Sequence, residues 1–147
     1  MNKVSVIGAG HVGATSVYYI AEKNIADVVM VDVVEGLAES KSLDFLHASP
    51  MRQYHSKITG TTEYKAIEDS DIIVFTAGVA RKPGMDRMDL LKINVKIAQQ
   101  ASREIAKYAP NAVVIAVTNP LDVIAYVMLK ETGFALKKVI GMAGILD

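Results

Sequence analysis

The chain has 147 residues, enough for one domain with a sizeable buried core. Lys plus Arg total 16 and Asp plus Glu total 16, so no net field draws it to nucleic acid or to a membrane surface. The absence of cysteine excludes disulfides, thiolate metal sites and a cysteine nucleophile.

A run rich in β-branched residues, Val4-Ser5-Val6-Ile7, opens the chain as a strand, which leaves no room for a signal peptide, and the absence of cysteine suits the expectation of a cytoplasmic protein. No apolar run approaches the roughly 20 residues of a membrane span. The strand leads directly into Gly8-Ala9-Gly10-His11-Val12-Gly13. A helical pattern comes next, with Val12, Ser16, Tyr19 and Ile20 on one face. Strand, Gly-x-Gly-x-x-Gly and helix in that order form the context in which a dinucleotide binds. Gly8 permits the tight turn, Gly10 lets the backbone approach a pyrophosphate, and Gly13 lets the helix pack close to the strand. Unpaired N–H groups at the helix start, that of His11 included, can face phosphate.

A second apolar run, Val28 to Val31, ends at Asp32, about 20 residues past the last glycine. A carboxylate there can accept hydrogen bonds from ribose hydroxyls and repels the extra phosphate of NADP, which favours NAD. Two alternatives stand beside this reading: an aspartate that only ends a strand, and a methyltransferase with a similar glycine turn.

Glu35 to His47 reads as a helix through Leu37, Ala38, Leu43 and Leu46, stopped by Ser49-Pro50. His47 and His55 carry no metal-ligand spacing and read as surface or interface residues; no metal site is expected. Lys57 to Gly60 is a weak strand, and Ile72 to Phe75 a strong one ending in Thr76-Ala77-Gly78. Unbroken apolar strands argue for a parallel sheet buried on both faces. A polar connection from Val79 to Arg87 turns at Pro83-Gly84. Asp86 then caps a helix running to about Tyr108, with Leu90, Asn94, Ile97, Ala101 and Ile105 along one face. Val113 to Val117 is a further strand, and Asn119-Pro120 opens a helix with proline at its first position. Gly133 ends that helix, and Val139-Ile140 gives a sixth strand. Alternating strands and helices predict an α/β fold: a doubly wound parallel six-stranded sheet with helices on both faces.

In Gly8 to Gly13, Asp32, the run Thr76 to Arg87, Thr118 to Asp122 and Ile140 to Asp147, the chain resembles the malate/lactate dehydrogenase family, and within it the lactate-dehydrogenase-like malate dehydrogenases. The resemblance covers the whole chain. It implies a Rossmann domain over residues 1–147 in which Gly8, Ala9, Gly10, His11, Val12, Gly13, Asp32, Thr76, Ala77, Gly78, Asn94, Val117, Thr118 and Asn119 hold NAD. It implies that Arg81 pairs with the second carboxylate of malate or oxaloacetate, where lactate dehydrogenases typically carry glutamine. Arg87 would polarise the reacting carbonyl, and Asn119 would contact substrate or nicotinamide ribose. Asp147 matches the aspartate that orients the catalytic histidine. The family continues past this point with a substrate-clamping arginine and, in a second domain, that histidine. None of His11, His47 and His55 matches it.

The expectation is therefore the NAD-binding half of a malate dehydrogenase of the tricarboxylic acid cycle, its C-terminal catalytic domain absent from the chain and turnover slight at best. The alternatives are an isolated dinucleotide-binding module and a fragment of a lactate or other 2-hydroxy-acid dehydrogenase. A hydrophobic content of 51% and a mean hydropathy of +0.27 hint at covered surface. The resemblance implies dimers or tetramers, with the helix around Ser42 to His47 as the expected contact.

Overall fold

The computed structural model describes residues 2–80 and 83–143. Strands form where β-branched residues run unbroken: β1 (Lys3–Ile7), β2 (Asp27–Val31), β3 (Ile58–Thr61), β4 (Ile72–Phe75), β5 (Val113–Ala116) and β6 (Val139–Gly141). Between them lie α1 (His11–Glu22), α2 (Leu37–Arg52), α3 (Arg87–Tyr108) and α4 (Leu121–Thr132). All pairings are parallel, in the order β3-β2-β1-β4-β5-β6. Chain order runs outward from β1 to β3, then returns to start again at β4. The sheet therefore has a switch point between the carboxyl ends of β1 and β4.

The core divides by strand parity. Val6, Val28 and Met30 face one way and pack with Val17 and Ala21 of α1 and Ala38 of α2. Ile7, Val29, Val31, Ile73, Phe75, Val114 and Ala116 face the other way and meet Ala98, Ala101 and Ile105 of α3 and Ile124 and Met128 of α4. A fully buried side chain such as Phe75 or Ile105 contributes roughly 1.5–3 kcal/mol. Helices thus cover both faces, as the uninterrupted apolar strands require.

Several local expectations are corrected. Helix α1 buries Gly13, Ala14, Val17 and Ala21, while Val12 and Tyr19 of the expected face are 54% and 55% exposed. Steric reach decides this: the first turn of α1 lies so close to the turn after β1 that no side chain fits at Gly13. A Cβ on Gly13 would stand 1.9 Å from the Gly8 carbonyl oxygen.

Helix α2 begins at Leu37 rather than Glu35 and passes through Pro50 to Arg52. Proline removes the N–H that would bond to the Leu46 carbonyl, and the Ser49 hydroxyl donates to that oxygen at 2.8 Å instead. The helix ends where Gln53 adopts a left-handed conformation, φ 57°. Gly60 of β3 allows α2 to approach, since a Cβ there would lie 2.1 Å from the Ala38 carbonyl oxygen.

Asp86 occupies the position before α3, but its side chain makes no capping hydrogen bond. Pro120 precedes the first turn of α4 instead of entering it. Strand β3 is shifted one residue on, β5 stops before Val117, and short 3₁₀ turns at Tyr64–Ile67 and Leu136–Lys138 had no expectation attached.

Candidate functional site

The carboxyl ends of β1, β2 and β4 open into a cavity of about 380 Å³. Its walls include Gly8, Gly10, Asp32, Thr76, Ala77 and Gly78, so the sequence-predicted residues of three separate stretches converge on one place. The register explains the convergence, because Ile7 sits beside both Val31 and Phe75. Gly8, Asp32 and Thr76, each the next residue along its own strand, therefore emerge at the same sheet edge.

The glycine turn is held from below. Gly8 has φ 104°, a conformation that a side chain would strain. Its N–H donates to the Val31 carbonyl at 2.8 Å. The Thr76 hydroxyl lies 3.1 Å from the carbonyl oxygens of both Ile7 and Gly8, tying the end of β4 to the turn. A Cβ on Gly13 would also come within 2.7 Å of that hydroxyl. Gly8, Gly13 and Thr76 thus fill one another's space. Gly10 is different: a Cβ built there meets no heavy atom within 4 Å. Open space stands where its side chain would be, beside the first N–H groups of α1. Ala9 is fully buried, whereas His11 and Val12 open α1 at the surface.

Asp32 stands half-buried at the end of β2. One carboxylate oxygen accepts from the Ala9 N–H at 2.6 Å, and the other from the Val34 N–H at 2.9 Å. An ionised carboxylate offers about four acceptor positions and no donor. Roughly two positions remain, which suits a vicinal diol and disfavours a phosphate. The cavity volume falls in the range of about 300–1,000 Å³ usual for small-molecule sites. The residues present therefore fit a dinucleotide with an unmodified ribose.

Ile7, Val31, Val33, Val34, Leu37, Tyr64, Val79, Ile97 and Gln100 complete the walls, and sequence reasoning assigned none of them to a site. A signal existed for the two valines, since apolar residues in a loop directly after Asp32 need a reason to be there, and Val33 is 76% exposed. Burial, followed by the charges of Glu104 and Asp32, pushes the Tyr64 phenol up to about 12. It is a neutral hydroxyl at ordinary pH.

Asn94 is buried in α3 and spends its amide on the chain: its Oδ1 accepts from the Val79 N–H at 2.8 Å, and its Nδ2 lies 3.4 Å from the Val79 carbonyl. Thr118 reaches the Ala77 carbonyl at 3.5 Å. A Cβ on Gly78 would approach Thr118 Oγ1 at 3.2 Å and Asn94 Oδ1 at 3.3 Å, so these three residues form the base of the connection after β4. The Val117 N–H is bound to the Phe75 carbonyl at 2.8 Å. Asn119 and Arg87 are exposed and are not among the cavity walls, nor are Asn94, Val117 and Thr118. Arg81 and Asp147 lie outside the described residues. Among the described residues no cluster of His, Asp and Glu could hold a metal ion, and no helix is long and apolar enough to cross a membrane.

Comparison with known proteins agrees with this geometry. The family model for the NAD-binding domain of lactate/malate dehydrogenase matches residues 2–141. A malate dehydrogenase from Methanosarcina barkeri is 55% identical over 147 residues, which are 100% of this chain and 48% of that protein. The structure of the Picrophilus torridus malate dehydrogenase in its apo form superposes with a TM-score of 0.95 at 43% identity, covering 99% of this chain and 46% of that one. A Cryptosporidium parvum lactate dehydrogenase, solved with lactic acid and NAD, gives a TM-score of 0.93 at 41% identity, covering 99% and 46%. The chain spans about half the length of the curated relatives it matches.

Proposed function

Since the chain belongs to the lactate/malate dehydrogenase family through its NAD-binding domain, we propose that it is the cofactor half of an NAD-dependent malate dehydrogenase interconverting malate and oxaloacetate. The observation that carries this reading is Asp32, an acceptor-only group at the mouth of a cavity walled by the glycine turn. Identity to proteins named malate dehydrogenase and the arginine at position 81 favour malate over lactate.

NAD, when bound, supplies the hydride acceptor. Asp32 accepts hydrogen bonds from its adenine ribose, and the start of α1 with Gly10 receives its pyrophosphate. Ala9, His11, Val12, Thr76, Ala77, Gly78, Asn94, Val117 and Thr118 complete the cofactor set, several of them by holding backbone in place. Arg87 stabilises the substrate carbonyl oxygen as negative charge develops, and Asn119 orients the same group. Arg81 pairs with the distal carboxylate. Asp147 orients the catalytic histidine, whose place in the family pattern none of His11, His47 and His55 matches. Residues 1–147 alone therefore bind NAD with little or no turnover. The exposed Leu43 and Leu46 on α2 suit a contact in a dimer or tetramer, and a chain without cysteine suits the reducing cytoplasm.

Oxaloacetate-dependent NADH oxidation by a form carrying the remainder of the protein tests the assignment. Arg81→Gln should move the oxaloacetate-to-pyruvate preference by roughly a hundredfold. An unchanged ratio removes Arg81 from substrate choice.

A further inference from the structure

Lys41 lies one turn into α2, far in sequence from the glycine turn, yet its ammonium reaches the Ala9 carbonyl oxygen at 2.5 Å. The same residue's N–H is held by Asp32 at 2.6 Å. Ala9 is thus gripped at both ends by opposite charges, from β2 and from α2. Its side chain is fully buried. The Ala9–Gly10 peptide is trans, because the only cis bond among the described residues is Asn119–Pro120. In a planar trans peptide the C=O and the following N–H point in opposite directions. Fixing the Ala9 carbonyl toward Lys41 therefore fixes the Gly10 N–H away from it. Gly10 lines the cofactor cavity, whereas Lys41 lines a different groove, with His11, Thr15, Tyr18 and Phe45.

We propose that Lys41 is a positioning residue for the cofactor's pyrophosphate: it acts through the Ala9 carbonyl to aim the Gly10 N–H into the cavity. The proposal rests on the cofactor site described above and adds to it a residue outside the glycine motif. Lys41 does this from outside the walls of the cofactor cavity. Its charge also strengthens the bond it makes, as hydrogen bonds to ionised groups are the stronger kind.

Titrations of the wild-type protein, Lys41→Met and Lys41→Arg with ADP and with adenosine test this, the two ligands differing by the pyrophosphate. Lys41→Met keeps an apolar stem of similar length but cannot donate. It should weaken ADP about tenfold and leave adenosine within about twofold, and Lys41→Arg should restore most of the loss. In the ligand-free protein the Gly10 amide resonance should move in Lys41→Met and return in Lys41→Arg. Equal losses for ADP and adenosine, or an unmoved Gly10 resonance, would overturn the positioning role. Unchanged ADP binding by Lys41→Met would do the same while leaving the cofactor site intact. Failure of the wild-type protein to bind ADP would overturn the cofactor site, and the role of Lys41 with it.

Discussion

Two glycines of one turn should fail in opposite ways when given a methyl group. In Gly13→Ala the new Cβ stands 1.9 Å from the Gly8 carbonyl oxygen, where ordinary contact begins at 3.4 Å. That oxygen cannot retreat freely. The Gly8 N–H is bound to Val31, and the Thr76 hydroxyl, itself 2.7 Å from the new Cβ, is hydrogen-bonded to that carbonyl. Overpacking against backbone of this kind costs about 3 kcal/mol, of which helix propensity returns about 1 kcal/mol at this position in α1. The net loss of about 2 kcal/mol lowers Tm by roughly 8 °C for a domain of this size. Gly10→Ala has φ −66° and open space for its Cβ, so its Tm should fall by no more than about 3 °C. The methyl group instead occupies the approach of the pyrophosphate and should weaken NADH at least about tenfold. Thermal unfolding by circular dichroism and NADH titration of both variants separate the two effects. A Gly13→Ala protein with wild-type Tm, or a Gly10→Ala protein with wild-type affinity, would refute the division of roles.

Other consequences attach to single side chains. Tyr64 keeps its proton up to about 12 in the folded chain against 10.0 for an unperturbed phenol. Its contribution is complete below pH 10 and lost as pH rises from 10 toward 12, by no more than about 2 kcal/mol for a partly buried group. Tyr64→Phe should remove that share of the alkaline loss in denaturant titrations at successive pH values; an unchanged pH profile would show that the phenol plays no part. Asp32→Asn leaves the Ala9 and Val34 N–H groups without a charged acceptor and presents a donor toward the ribose. It should weaken NADH about tenfold and narrow the preference over NADPH, measured by fluorescence titration. Retention of both affinity and preference would detach Asp32 from the cofactor.

Order and periodicity made part of the fold and site legible in the sequence. Continuous apolar runs announce strands buried twice over, and Gly8, Gly10, Gly13 and Asp32 in this order and spacing favour a shared sheet edge. The site residues on either side of β1 could be grouped because parallel strands bring their carboxyl ends together. Distance-dependent features were not legible. Which face of α1 is buried depends on how near the helix lies to β1, and hydropathy alone favoured Val12 and Tyr19 over Gly13 and Ala14. Pro50 looked like a stop because nothing in the local pattern shows that the Ser49 hydroxyl serves the carbonyl left open. Tyr64 reaches the cavity, and Lys41 the Ala9 carbonyl, from segments that carry no motif, so only the folded chain brings them there.

Calorimetric titration of the protein with NADH and with NADPH bears most directly on the central claim, that the glycine turn and Asp32 together form a site for NAD. Binding of NADH, with NADPH weaker by about tenfold or more, is the predicted result. Equal binding of the two, or binding of neither, would contradict it.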